Sequence, residues 1–159
     1  MKKWMLLPML ALAGCVQITN YQQAVKLPAP AGIAGVWQTD GPQKGLVSPQ
    51  AMASLLITPQ GDTLDCRQWQ RVIAKPGKLA RVDDKVVNIN RQLRAMHLKL
   101  VGDTLHYDGL TLKKVSQPTV ECQKALAESE SHPEQPVIQD IQPTLLLNHF
   151  ANGDNPPAG

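Results

Sequence analysis

Ala95-Met96-His97-Leu98-Lys99-Leu100-Val101-Gly102-Asp103-Thr104-Leu105-His106-Tyr107-Asp108-Gly109-Leu110-Thr111-Leu112-Lys113-Lys114-Val115 alternates apolar and polar residues around two turn dipeptides. Gly102-Asp103 suits a two-residue type II′ turn, whose first central position wants glycine, and Asp108-Gly109 suits type I′. A loop at Gly102-Asp103 sets Leu100 opposite Leu105 and Leu98 opposite Tyr107, with Lys99 opposite His106 and His97 opposite Asp108. A turn at Asp108-Gly109 sets Tyr107 against Leu110 and Leu105 against Leu112. Apolar side chains meet on one face and polar ones on the other, as a half-buried meander requires. The spacing predicts three antiparallel strands, Ala95–Val101, Thr104–Tyr107 and Leu110–Val115.

Toward the N-terminus, Gly61-Asp62-Thr63-Leu64 repeats Gly102-Asp103-Thr104-Leu105 and predicts the same turn. A single strand over residues 64–74 comes next, closed by a turn at Pro76-Gly77. Val82, Val86, Val87 and Ile89 mark one or two strands between Leu79 and Ile89. Leu55–Thr58 and Gly35–Thr39 read as strands, the latter ended by Asp40-Gly41-Pro42. Ser48-Pro49 predicts a short helix ending by Ala53, and Thr119 caps a helix over Val120–Ala127. About seven to eight short strands with such turns predict an all-β domain, a small lipocalin-like barrel or sandwich. Gly35-Val36-Trp37 resembles the lipocalin signature, in which the tryptophan plugs one end of a barrel. A core tryptophan in any β fold gives the same pattern.

The chain has 159 residues, and its two ends differ from its middle. Lys2 and Lys3 precede an apolar run from Trp4 to Ala13, too short to span a bilayer, which takes about 20 residues. Leu12-Ala13-Gly14-Cys15 resembles the lipobox of bacterial lipoproteins. That resemblance implies cleavage before Cys15 and lipidation of its thiol. Val16, where an aspartate would favour inner-membrane retention, points by the same resemblance to the outer membrane, with the domain facing the periplasm. The expected layout is a signal peptide over 1–14, a lipidated tether over 15–32, a barrel-like domain over 33–127, and a Pro-rich disordered tail over 128–159. Within the tail, Leu145-Leu146-Leu147 is an apolar exception, either a short docking segment or a stray run.

Removing Lys2 and Lys3 from the 16 basic residues leaves 14 against 13 acidic ones. Such a balance, without a basic stripe, excludes nucleic acid as the expected partner. Cys66 and Cys122 remain once Cys15 carries lipid, and in an oxidising periplasm two such thiols in a small domain pair. His97, His106, His132 and His149 are scattered, with no metal-ligand spacing. No nucleophile elbow, phosphate loop or dinucleotide fingerprint is present. The expectation is a protein without cofactor, metal or catalytic residues. Arg67, Trp69 and Arg71 project to one side of the predicted strand, opposite Cys66 and Gln68. They form either a docking patch, or a surface ladder of arginines stacked on tryptophan, or a rim of arginines around a Trp69 buried under a loop.

Gly61 to Ala74, Pro76-Gly77-Lys78-Leu79, Leu46-Val47-Ser48-Pro49 and Tyr107-Asp108-Gly109 resemble the YedD-like enterobacterial lipoproteins. Gly35-Val36-Trp37-Gln38-Thr39 and Pro118-Thr119-Val120-Glu121-Cys122 extend the resemblance over roughly residues 33–125. It implies a lipoprotein and supplies no catalytic residue. The resulting expectation is a membrane-anchored binding or regulatory protein for a periplasmic or peptidoglycan-processing partner. The alternative is a lipocalin-like carrier of a small apolar ligand. Labelling cells with radioactive palmitate will mark the wild-type protein and leave Cys15→Ala unlabelled; an unlabelled wild type refutes the anchor.

Overall fold

The structure, a computed structural model, describes residues 18–140. Residues 1–17, with the expected signal peptide and Cys15 among them, and residues 141–159, with Leu145–Leu147 among them, lie outside the described residues. The described residues form nine strands and one α-helix. The strands are β1 (Gly35–Thr39), β2 (Met52–Ile57), β3 (Asp62–Trp69), β4 (Arg71–Val82), β5 (Lys85–Asn90), β6 (Ala95–Val101), β7 (Thr104–Tyr107), β8 (Leu110–Val115) and β9 (Val137–Asp140). Helix α1 (Val120–Ser131) lies between β8 and β9. Each of β1 to β8 pairs antiparallel with the next, and β8 returns to β1, which closes an eight-stranded up-and-down barrel.

The meander has the register its sequence predicts, with Leu100 opposite Leu105, Leu98 opposite Tyr107 and Leu105 opposite Leu112. Asp108 and Gly109 both have positive φ, 50° and 75°, as a type I′ turn requires. Other turns differ from the sequence reading. Gly61 ends a four-residue loop, with Ile57 paired to Thr63. A Cβ on Gly61 would lie 1.9 Å from the Leu27 carbonyl oxygen, so glycine here lets the N-terminal segment cross the loop. Residues 64–74 are not one strand. The chain reverses at Gln70, φ 60°, and pairs Trp69 with Arg71. Pro76-Gly77 is no turn but part of β4. At Pro76 the strand has exchanged β9, which pairs residues 71–74, for β5, which pairs 77–82. A proline is tolerated where that edge has no neighbour to receive an N–H. Ser48-Pro49 makes a single turn, Ala51 N–H to Ser48 carbonyl, and strand β2 begins too soon for a helix.

Alternation along the strands separates two faces. Trp37, Leu55, Leu79, Leu98, Leu105, Leu110 and Leu112 fill the lumen. Trp37 donates from its indole N–H to the Ile33 carbonyl at 2.8 Å, and Ile33 joins the same cluster, closing the end where β1 starts. On the outer face, Leu56, Leu64, Cys66, Val72 and Ala74 pack against Cys122 and Ala125 of α1 and Val137 of β9. Cys66 and Cys122 are joined by a disulfide, with their Cα atoms 6.1 Å apart. Thr119 caps α1, its hydroxyl accepting from Cys122 N–H at 3.2 Å and donating to Gln68 Oε1 at 2.6 Å. Strand and helix are thus tied by polar contacts as well as sulfur.

Both flanks of the barrel are more ordered than the sequence suggests. Residues 18–32 are not a free tether. Tyr21–Gln23 forms one 3-10 turn, Ala24 is buried against Ala80, Val87 and Ile89, and Leu27 N–H bonds to the Leu79 carbonyl. The predicted disordered tail from 128 includes the last turn of α1, to Ser131, and strand β9. Its apolar Val137 completes the cluster beneath the helix. Closing a 56-residue loop stabilises a fold by about 4 kcal/mol in the chain-entropy model. The double variant Cys66→Ala/Cys122→Ala will lose about that much in urea titrations read by circular dichroism. A loss under about 1 kcal/mol would remove the staple from the account.

Candidate functional site

β3 delivers the site because its odd-numbered residues face inward. Cys66 and Leu64 point out toward α1, so Thr63, Asp65, Arg67 and Trp69 point in. Inside, a polar chain crosses the lumen. Thr63 donates its hydroxyl to Asn88 Oδ1 at 2.5 Å, and Asn88 donates to the Tyr107 hydroxyl at 2.9 Å. Tyr107 donates to Asp65 Oδ2 at 2.6 Å, and Arg67 donates to both Asp65 oxygens, at 2.6 and 3.1 Å. Arg67 also donates to Asp108 at 3.0 Å, and Arg94 donates to the other oxygen of Asp108 at 2.7 Å.

Burial works against charge on Arg67, yet the hydrogen bond and carboxylate of Asp65, with Asp108 beyond, hold its guanidinium more firmly protonated than usual. Burial and the adjacent Asp65 carboxylate push the Tyr107 phenol well above its ordinary 10.0. The network's polar groups are spent on one another. Its consequence is mechanical: it seals the lumen and fixes Arg67 at the rim.

Above this floor lies the mouth. The β3–β4 reversal at Gln70 and the loop from Asp40 to Ala51 border a cleft of about 350 Å³. Leu46, Val47, Ala51, Met52, Trp69 and Ile73 line it, with Arg67 and Arg71 at its edge. The loop is pinned. The Gln43 amide donates to the Thr111 carbonyl at 2.6 Å and accepts from Thr111 N–H at 2.9 Å, imitating a strand partner for β8. Trp69 remains 41% exposed and Val47 78%. A second cleft, about 530 Å³, runs along α1 between Leu56, Leu64, Pro76 and Leu126, with Tyr21 and Arg91 beside it.

Arg67, Trp69 and Arg71 therefore share one face, but across a hairpin and at the mouth rather than along an outer strand. The arginine–tryptophan ladder is not formed. Arg67 lies over Tyr107, 5.9 Å from the ring centroid, and Lys114 lies over Trp37 at 5.5 Å. Asp65, Tyr107, Asn88 and Asp108 belong to the site without having been singled out. The available sign was parity: a cysteine that must reach an outer helix sends both neighbours into the barrel. Among the described residues, no three His, Cys, Asp or Glu side chains converge on a metal-sized site.

A closed eight-stranded up-and-down barrel, plugged at the strand-one end by a tryptophan after Gly-x, defines the lipocalin class. Known proteins agree. A family described as "Bacterial lipocalin LPS transport optimiser YedD" matches residues 18–126. Lipoprotein YedD of Salmonella typhimurium strain LT2 is 54% identical over 118 residues, which span 74% of this chain and 84% of the relative. That of Escherichia coli strain K12 is 52% identical over 118 residues, 74% and 86% of the two chains. The crystal structure of a lipoprotein YedD from Klebsiella pneumoniae superposes with a TM-score of 0.68 at 50% identity, covering 70% of this chain and 96% of that one. This chain belongs to the YedD family of bacterial lipocalin lipoproteins.

Tyr107→Phe removes a donor from Asp65 and an acceptor from Asn88, and will cost about 1–3 kcal/mol in urea unfolding. The phenol of the unfolded chain ionises near 10.0, while the folded one holds its proton to higher pH. Its contribution is therefore complete below about pH 10 and falls as pH rises above it. Phenolate absorbance will show Tyr107 ionising only together with unfolding; ionisation near pH 10 in the folded protein would contradict the buried pair.

Proposed function

We propose that this protein is a non-enzymatic lipoprotein that binds a protein of the lipopolysaccharide-transport apparatus through the barrel mouth. A lipid on Cys15 holds it at the outer membrane, with the barrel in the periplasm. The observation that carries the reading is Trp69, half-exposed in an apolar cleft whose floor is an ion-paired network. An aromatic flanked by arginines on a rigid base is the composition of an interface hot spot. Side chains fill the lumen, which favours docking over carriage of a small apolar ligand. The family's description supports lipopolysaccharide transport as the setting, ahead of a peptidoglycan-processing partner.

The network and the apolar cleft serve different purposes. Arg67 is held by two carboxylates and is an inflexible rim. Arg71 stands across the hairpin from Trp69 at the edge of the cleft, where its guanidinium can meet a partner's acidic group. Burying Trp69 and pairing Arg71 would each exclude water from the other, the arrangement that concentrates binding energy in few residues.

A photoreactive amino acid at position 69, activated in living cells, will capture a lipopolysaccharide-transport protein. Trp69→Ala with Arg71→Ala will weaken that complex at least 30-fold, about 2 kcal/mol. Capture of peptidoglycan enzymes alone, or affinity unchanged by the double substitution, overturns the proposal.

A further inference from the structure

Helix α1 leaves part of the barrel's outer wall uncovered. Cys122 and Ala125 of its first turns pack with Cys66, Val72 and Ala74. Farther along, Leu126 on the helix and Val36 on the wall are only half-buried. There the cleft of about 530 Å³ opens, with Leu56, Leu64 and Pro76 along it. Ligand sites usually measure about 300–1,000 Å³. The cleft lies outside the lumen, which side chains fill. Several polar groups at its border are already engaged. Ser129 donates to the Leu126 carbonyl at 2.9 Å, Thr58 accepts from the Asp62 N–H at 3.0 Å, and Thr63 turns inward to Asn88. The surface between them is apolar.

The border at Tyr21 is cationic. Lys78 Nζ lies 4.0 Å from the Tyr21 ring centroid, and the Arg91 guanidinium 4.8 Å. Lys26 Nζ pairs with Asp62 Oδ1 at 3.2 Å, and Asp62 is the cross-strand neighbour of Lys78. Three cations thus gather beside one carboxylate, while Glu130 borders the cleft from α1. Burial first, then the charges of Arg91 and Lys26, make Lys78 release its proton more readily than usual. Arg91 Nε is buried and has no hydrogen-bond partner among the described residues. A buried donor in that state is destabilising until something bonds to it. Lys78 has spent one of its three N–H donors on the Tyr21 carbonyl, at 2.8 Å. A phosphate would answer both residues, because its oxygens accept from guanidinium and ammonium together and its charge offsets theirs.

We propose that this cleft binds one phospholipid, with an acyl chain laid along Val36, Leu56, Leu64 and Leu126 and the phosphate held by Lys78 and Arg91 beside Tyr21. The apolar wall and the cationic border then serve one amphiphile. Binding does not involve the mouth, so it stands apart from the docking reading above. A membrane phospholipid as the source rests on the expected anchor. Six residues separate Tyr21 from Cys15, at most about 20 Å, so a lipid on Cys15 would keep the cleft near a phospholipid surface. The bound lipid would complete the cover that α1 begins and would hold the Tyr21 segment against the wall.

The test uses the full chain, extracted from cells in a non-ionic detergent, and phosphatidylglycerol carrying a diazirine on one acyl chain. Illumination will label peptides that contain Val36 or Leu126. Phosphatidylcholine with the same chain, whose choline offsets the phosphate charge, will label them about fivefold less. Lys78→Gln with Arg91→Gln will lower the yield about tenfold. Lys99→Gln with Lys113→Gln, which removes as much charge from β6 and β8, will not lower it. Val36→Trp keeps every charge but fills the cleft, and will lower the yield about fivefold. Circular dichroism will check that each variant is folded. Equal yields from the two lipids, label confined to the mouth, or a yield indifferent to Val36→Trp overturns the proposal. Full competition by glycerol 3-phosphate at equal concentration also overturns it, since the site would then take free phosphate and not a lipid.

Discussion

Asp65 and Arg67 sit two residues apart on the inner face of β3 and close an ion pair at 2.6 Å inside a barrel. A charge in that position needs a partner, because removing one half of a buried pair strands the other at about 3–5 kcal/mol. Much of the mouth is built around that need. Tyr107 donates to the carboxylate oxygen facing it, Asp108 takes the remaining edge of the guanidinium, and Arg94 neutralises Asp108 in turn. The pair also fixes the strand's phase. With Asp65 and Arg67 inward, Cys66 must point outward, where α1 brings Cys122 to meet it. One alternation thus sets the lumen's polarity and the helix's position together.

The extent to which the sequence discloses this differs along the chain. The meander from Ala95 to Val115 is fully legible, because its turns use the dipeptides their backbone geometry demands and its alternation admits one register. The β3–β4 reversal is hidden because Gln70 adopts a positive φ that glycine or asparagine usually takes. Pro76-Gly77 misleads for the opposite reason. It carries turn residues where β4 merely changes neighbours, and Gly77 is needed for space, a Cβ there lying 2.7 Å from the Ile89 carbonyl. The three site residues on 67–71 are legible as a shared face, but not as the inner one. Alternation alone cannot say which side of a strand is water. Only the tie from Cys66 to an outer helix decides it.

The molecule resembles a cup whose bowl is full. Lipocalins with open lumens recognise ligands by depth, while here the leucines and the Tyr107–Asp65–Arg67 bridge leave only a shallow rim. Recognition at a rim favours a broad macromolecular surface over a small molecule. The same β-sheet adds β9 beside the start of β4, in a part of the sequence beyond the residues the family matches.

The docking of residues 18–32 along the barrel wall has a consequence for how far the protein can travel. Lys78 Nζ holds the Tyr21 carbonyl at 2.8 Å, and the Tyr21 ring lies beneath Lys78 and Arg91. Six residues take the chain from Cys15 to Tyr21, at most about 20 Å. A lipid on Cys15 would therefore hold Tyr21, docked on the barrel wall, within about 20 Å of its anchor. An anchored molecule of this kind would stay in a thin layer at its membrane. Any partner would then have to come to that layer, where its effective concentration would be set by geometry as much as by abundance.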